Sequence, residues 1–406
     1  MAADLWVRGP VGLDAGTRVT RPRCRAVLVV VPTMTAGTRL LDLVSLLETD
    51  LRVQVVFTVP HTTERWHGVE EFVRGLHGVV LPWDQAVAHR FDLVLAASHR
   101  HLAEVHGPIL LIGHGAGRVK PRRHSRKAGG ATEPTTAVDR ELLTFRGRVL
   151  PDVLALGTDS EVELVRERCP EATPNTIVAG DSCLDRMRMS RHLREVYRSV
   201  LGLTPERRLV VISTTWFTDS AFGRLPELYQ AVVDALPAQR FAVAAVLHPN
   251  VWAVHGSRQV SAWLSGALAG GLVLIPPESG WQATMLAADW VVGDHGSTTG
   301  YAAAMGCPVT LASMCGQPQE GSVADVVRAH TLSLSWNCPL PEQAAAAGTR
   351  TAALAGAATE AITSRADRSA EILRDAMYRL LELAVPETPA SFPLLPVPRP
   401  LPRWSE

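Results

Sequence analysis

Short apolar runs recur along the first part of the chain, separated by segments with helical spacing. Ala26-Val27-Leu28-Val29-Val30-Val31 is β-branched and closes at Pro32, which predicts a strand buried on both faces. Leu40 to Leu47 has helical periodicity, and Val53–Phe57 is a second strand. Val69 to Leu76 reads as helix and Gly78 to Leu81 as a short strand. Asp92–Ala96, Ile109–Ile112, Val153–Leu156 and Thr176–Ala179 continue the strand series. Strands alternating with helices predict parallel βαβ units with right-handed crossovers.

A basic helix, Arg191 to Leu201, runs into Gly202-Leu203-Thr204-Pro205, and the pattern restarts. Strands are predicted at Leu209–Ile212, Phe241–Leu247, Leu272–Ile275, Trp290–Val292 and Val309–Leu311. Helices fall at Leu225–Leu236, Gln259–Leu268 and Gly280–Ala288, and Tyr301–Met305 belongs to a further one. An Ala-rich amphipathic stretch over 341–384 reads as one helix or two. The expected organisation is an irregular leader (1–22), a Rossmann-like domain (23–200), a second one (201–340), a helical segment (341–385) and a Pro-rich tail (386–406). The tail should be extended or disordered. The fold class is α/β, with two doubly wound domains facing each other across a cleft.

At 406 residues the chain suits two domains. It is 47% apolar and 20% charged with a net charge of zero, so total charge gives no case for nucleic acid or membrane. Lys occurs only at 120 and 127 while Arg, Ala, Gly and Pro are frequent, the pattern of a GC-rich, bacterial genome. None of the six cysteines forms a C-x-x-C pair, so neither zinc spacing nor a disulfide framework is present. No signal-peptide pattern opens the chain and no apolar run would span a bilayer. A soluble cytoplasmic protein is expected, with peripheral membrane association left open.

Open parallel sheets bind ligands at the carboxyl ends of their strands. There, Gly293-Asp294-His295-Gly296-Ser297-Thr298-Thr299-Gly300 links an apolar run to a helix. Unpaired N–H groups, the helix dipole and the hydroxyls make a phosphate seat. The competing reading is a plain N-capped helix. Histidines follow three strands, at His114, His248 and His295, and His is the side chain best able to exchange a proton near neutral pH. Glycines flank His114, and Pro249 explains the His248 segment equally well as a turn.

The order His-Gly, His-Pro, then Asp-x-x-Ser-Thr before a helix resembles the CDP-glycerol glycerophosphotransferase family, the teichoic-acid polymerase-like enzymes of GT-B architecture. The resemblance covers roughly residues 108–315. It implies that the first domain serves the acceptor and the second the nucleotide donor. Gly113-His114-Gly115 resembles the family's His-Gly motif, which makes His114 the candidate base. His248-Pro249 resembles the second histidine motif. Asp294, Ser297, Thr298 and Thr299 resemble its Asp-Tyr-Ser-Ser phosphate motif, with His295 and Gly296 as departures. Thr214-Thr215-Trp216 resembles a Pro-Thr-Trp segment, placing Thr215 beside the donor. Gly180 and Asp185 resemble the ends of a further motif whose Pro-Arg pair is Ser182-Cys183 here.

The expected function is transfer of a glycerophosphate-like or glycosyl group from a nucleotide-diphosphate donor to a hydroxyl acceptor, a polyol phosphate or glycan. His114 takes the acceptor proton; His248 and the 294–299 loop stabilise the leaving phosphate. No Asp-x-Asp pair occurs, so neither a cofactor nor a bound metal is required. The basic run after His114, with Arg118, Lys120, Arg122 and Arg123, reads either as a solvated loop or as a cationic flap over an anionic acceptor. Without interleaved aromatics it makes no nucleic-acid site. The alternatives are a nucleotide-sugar glycosyltransferase, an epimerase-like enzyme, or a non-catalytic relative that binds a nucleotide or polyanion.

Overall fold

A computed structural model describes residues 5–12, 15–60, 66–116, 138–314 and 318–402. The basic run with Arg118, Lys120, Arg122 and Arg123 lies outside these residues. The chain divides into two compact units. One comprises the chain to Gly115, Val119–Cys183 and Ser364–Pro393; the other is built mainly from Leu184–Thr363 and the segment from Leu394 onward.

The first unit holds strands β1 (Arg25–Val30), β2 (Val53–Thr58), β3 (Val79–Leu81), β4 (Leu93–Ala96) and β5 (Ile109–Ile112). A two-stranded hairpin, β6 (Thr144–Phe145) and β7 (Arg148–Val149), stands apart, and β8 (Val153–Leu156) and β9 (Thr176–Val178) complete the sheet. Its order is β3-β2-β1-β4-β5-β8-β9, with every paired strand parallel. Along β1, Val27 and Val29 enter one core layer while Leu28 and Val30 enter another. Apolar layers on both faces are why the strand has no polar alternation. The helix Met34–Val44 begins six residues before the apolar periodicity at Leu40, because the Thr33 hydroxyl caps it by accepting from the Ala36 N–H.

The second unit holds β10 (Arg208–Thr214), β11 (Phe241–Leu247), β12 (Val273–Ile275), β13 (Trp290–Gly293), β14 (Val309–Leu311) and β15 (Leu332–Ser333), in the order β12-β11-β10-β13-β14-β15. From β10 the chain winds to one side and then crosses to β13 on the other. The carboxyl ends of β10 and β13 therefore form the switch point, where doubly wound folds bind ligands.

The Ala-rich stretch is three helices, Leu340–Gly348, Thr351–Ile362 and Ser369–Leu380, not one or two. The breaks fall at Thr349-Arg350 and over 363–368, where Asp367 takes a left-handed φ of 62°. Helices at Asp159–Arg168, Ser182–Met189 and Pro249–His255 were not signalled by periodicity; the first is fixed by a Thr158–Glu161 capping box. Within the irregular leader, the backbone of Val7 exchanges two hydrogen bonds of 2.8 Å with the Gln85 amide, and Val11 is buried.

Over residues 386–402 the Pro-rich tail is extended and docked. In the first unit Phe392 joins the core. In the second, the Leu395 N–H donates to Ser190 Oγ and its carbonyl accepts from the Tyr197 hydroxyl at 2.9 Å each. Leu401 N–H donates to Leu274 O of β12 at 2.9 Å, covering an edge of that sheet. Gly280, with φ +91°, leaves room for Pro398, whose Cα would lie 3.2 Å from a Cβ there.

The helix Ser369–Leu380 is fastened to its unit by the Tyr378 hydroxyl, which donates to Asp50 Oδ2 at 2.7 Å. The Arg52 guanidinium above all, helped by the Arg52 backbone and Tyr378, holds the Asp50 carboxyl well below the usual carboxylate range despite its burial. Burial first, then the Asp50 contact, pushes the Tyr378 phenol up to about 12. A carboxylate lowered on folding stabilises above its ordinary value of 3.8 and loses that contribution as pH falls toward the folded value. Asp50→Asn should therefore cost about 1 kcal/mol near neutral pH and clearly less near about pH 2, where part of the contribution has been lost, read by denaturant unfolding of both proteins. An equal difference at both pH values would contradict this role.

Candidate functional site

Asp294 follows β13 directly and is fully buried. Its Oδ1 accepts from the Gly296 N–H at 2.8 Å and the Thr215 N–H at 3.1 Å. Its Oδ2 accepts from Thr215 N–H at 2.8 Å and Ala221 N–H at 3.0 Å, with the Thr214 hydroxyl 3.1 Å away. One carboxylate thus ties the loop after β13 to the loop after β10, across the switch point. The Thr214 hydroxyl also accepts from the Phe222 N–H at 3.0 Å. Beneath it lies Tyr229, whose phenol is pushed upward by burial and then by the charge of Asp294. Both oxygens of Asp294 are thus met by the protein's own donors, and its observed place is to hold the two loops together.

The chain turns at Gly296, which caps the helix Ser297–Ala304 with extended backbone (φ −68°, ψ 151°) and no side chain. Thr299 and Gly300 N–H groups return to the Gly296 carbonyl at 3.1 and 3.4 Å. The N–H groups of Ser297 and Thr298 have no acceptor within the helix and carry its positive dipole end. Both residues are half-buried, as is His295. The Thr298 hydroxyl is 2.6 Å from Ser213 Oγ on β10, a second tie across the switch point. Thr299 is buried and faces the sheet: a Cβ at Gly293 would collide with its hydroxyl, so glycine is required there. At the start of this helix Ser297, Thr298 and His295 are therefore half-buried, over a buried frame of Asp294, Thr215, Gly296 and Thr299.

His248 follows β11 and caps the helix Pro249–His255. Its Nδ1 accepts from the Asn250 N–H at 3.0 Å. A backbone N–H can only donate, so the proton of the neutral ring sits on Nε2, which is a donor. The His248 ring lies nearly parallel to that of Trp216, with centroids 6.0 Å apart and planes at 24°. In the other unit His114 follows β5 and is exposed. Its Nδ1 is 3.0 Å from the Ala97 carbonyl, which can only accept. The Nε2 of neutral His114 therefore carries a lone pair. The two histidines are held in opposite tautomers, one able to take a proton and one to give a hydrogen bond.

Periodicity did not signal Ser213, Tyr229 or Phe217 as site residues. Ser213 follows directly on the apolar strand run 209–212 and Tyr229 sits at a core position of a helix, so both read as packing. Only the pairing of β10 with β13, invisible in sequence, brings Ser213 to Thr298.

Compared by sequence, the chain matches no family model and no curated protein. Compared by structure, it is similar to the wall teichoic acid polymerase TagF (TM-score 0.56, 10% identity, covering 88% of this chain and 89% of that one). It is similar to a Listeria monocytogenes protein assigned as a UDP-N-acetylglucosamine 2-epimerase (TM-score 0.55, 15% identity, 90% and 98% covered). It is also similar to S. aureus MnaA in a co-structure with UDP (TM-score 0.52, 13% identity, 91% and 100% covered). At these identities the likeness shows the fold: α/β with two Rossmann-like, doubly wound units of the GT-B type.

Asp294→Asn should destabilise the protein by about 3 kcal/mol, because the amide turns N–H groups toward N–H donors in a buried place. Denaturant unfolding measures it; a cost below about 1 kcal/mol, the scale of an ordinary exposed contact, would contradict the framing role given to Asp294.

Proposed function

We propose that the protein transfers a group from a nucleotide-diphosphate donor to a hydroxyl acceptor. The observation that carries this reading is the helix Ser297–Ala304 opening at the switch point with two N–H groups that meet no acceptor among the described residues and a buried frame holding them in place. In this reading the donor's diphosphate lies on the N–H groups of Ser297 and Thr298, with the Ser297 hydroxyl and His295 at the mouth. His248 donates from Nε2 to the phosphate oxygen on which charge develops. His114 takes the acceptor's proton on Nε2 as the hydroxyl oxygen bonds to the transferred group. The bond to the leaving nucleotide phosphate breaks as that bond forms. The TagF likeness favours a glycerophosphate-like group, whereas the MnaA and epimerase likenesses favour a nucleotide-sugar.

A thermal-shift screen against CDP-glycerol, CDP-ribitol, UDP-glucose, UDP-N-acetylglucosamine, GDP-mannose and dTDP-sugars tests the donor, since a ligand selective for the native state raises its melting temperature. Stabilisation by cytidine compounds alone assigns the glycerophosphate-type donor, and by one sugar nucleotide a glycosyl donor. No stabilisation by any of them contradicts the reading. With the donor known, His114→Ala should lower turnover about 100-fold or more and leave donor affinity unchanged. Full activity in that variant would remove His114 as the base.

A further inference from the structure

We propose that Trp216 and Phe217 form an aromatic floor on which the planar base of the nucleotide stacks. This inference rests on the diphosphate reading above and names what holds the other end of the same ligand.

Phe217 is in an unusual state for a large apolar side chain. Its ring is 51% exposed, so core packing does not account for it. Its backbone has a φ of 79°, in the left-handed region that bulky residues rarely enter. The surroundings impose that conformation. Ser220 donates to the Phe217 carbonyl twice, from its N–H at 3.2 Å and its hydroxyl at 2.7 Å. Gly223 packs so closely that a Cβ there would lie 2.5 Å from the same oxygen. Ala221, one residue beyond Ser220, is bonded to Asp294, so the frame that builds the phosphate seat also fixes this loop. Strain held in place by the surrounding structure and spent on an exposed ring marks a functional position.

The ring's orientation points to its use. Phe217 lies on Trp216 with centroids 3.4 Å apart and planes at 26°, and Trp216 lies nearly parallel to His248. Phe217 is thus stacked on Trp216 and still half exposed, so aromatic surface of this pair reaches solvent. Two residues of chain, at most about 7 Å, separate Phe217 from Thr215 on the seat's frame, a span that one ribose bridges. Stacking on an aromatic face is available to every nucleobase. The floor therefore supplies affinity for the nucleotide as a class and leaves the identity of the base to other groups.

Calorimetric titration of CDP, UDP and inorganic pyrophosphate into the wild-type protein and Phe217→Gly tests this. Glycine removes the ring and relaxes the backbone, so the variant should fold with an unchanged or higher melting temperature. The expected result is a Kd about tenfold weaker for CDP and UDP alike, with pyrophosphate affinity unchanged. Phe217→Tyr, which keeps an aromatic face, should bind as the wild type does. Equal losses for pyrophosphate and the nucleotides, or no loss for either, would overturn the floor. A loss confined to sugar nucleotides, with CDP and UDP unaffected, would place the transferred group there and overturn the base assignment. Binding of none of the probes to the wild type would overturn the diphosphate reading, and the floor with it.

Discussion

A fully buried carboxylate is costly unless its oxygens are met by donors, and at Asp294 three backbone N–H groups meet them. The arrangement constrains everything around it. The donors come from Thr215 and Ala221 after β10 and from Gly296 after β13, so neither loop can move without exposing the charge to unpaired polar groups. Gly296 is fixed as the helix cap, and the two unspent N–H groups of the next turn are fixed with it. The same anchor reaches Phe217 through Ala221 and Ser220. In the function proposed, a seat for negative charge is built around a negative side chain, which works because the carboxylate is consumed internally and the helix end is not.

Much of the fold was legible because parallel strands covered on both faces leave nearly continuous apolar runs; Phe241–Leu247 was read at its observed limits. Helix starts were harder. Met34–Val44 begins at the Thr33 cap, before its apolar stripe becomes visible, and Ser182–Met189 has too little periodicity to stand out. In the Ala-rich stretch the breaks at 349–350 and 363–368 carry no proline and only weak turn chemistry. The tail's composition spoke for extension, but its docking depends on the burial of Phe392 and on backbone hydrogen bonds of Leu395 and Leu401 that no local pattern encodes.

At the candidate site the sequence identified the segment but not the division of labour within it. Asp294, Ser297, Thr298 and Thr299 share one motif, yet Asp294 and Thr299 face inward while Ser297 and Thr298 lie at the mouth. Which way a short polar side chain turns depends on the strand beside it, as Ser213 shows for Thr298. The histidines illustrate the same limit. His114 and His248 are alike as letters, and only a carbonyl against one Nδ1 and an N–H against the other separates a proton acceptor from a hydrogen-bond donor.

The most direct test of the account is a crystal structure of the protein with CDP or UDP bound. The account predicts a phosphate oxygen within hydrogen-bond distance of the Ser297 or Thr298 N–H, with the Asp294 carboxylate still on its backbone donors and out of contact with the ligand. Phosphates bound away from that helix end, or Asp294 turned outward to meet the ligand, would contradict it.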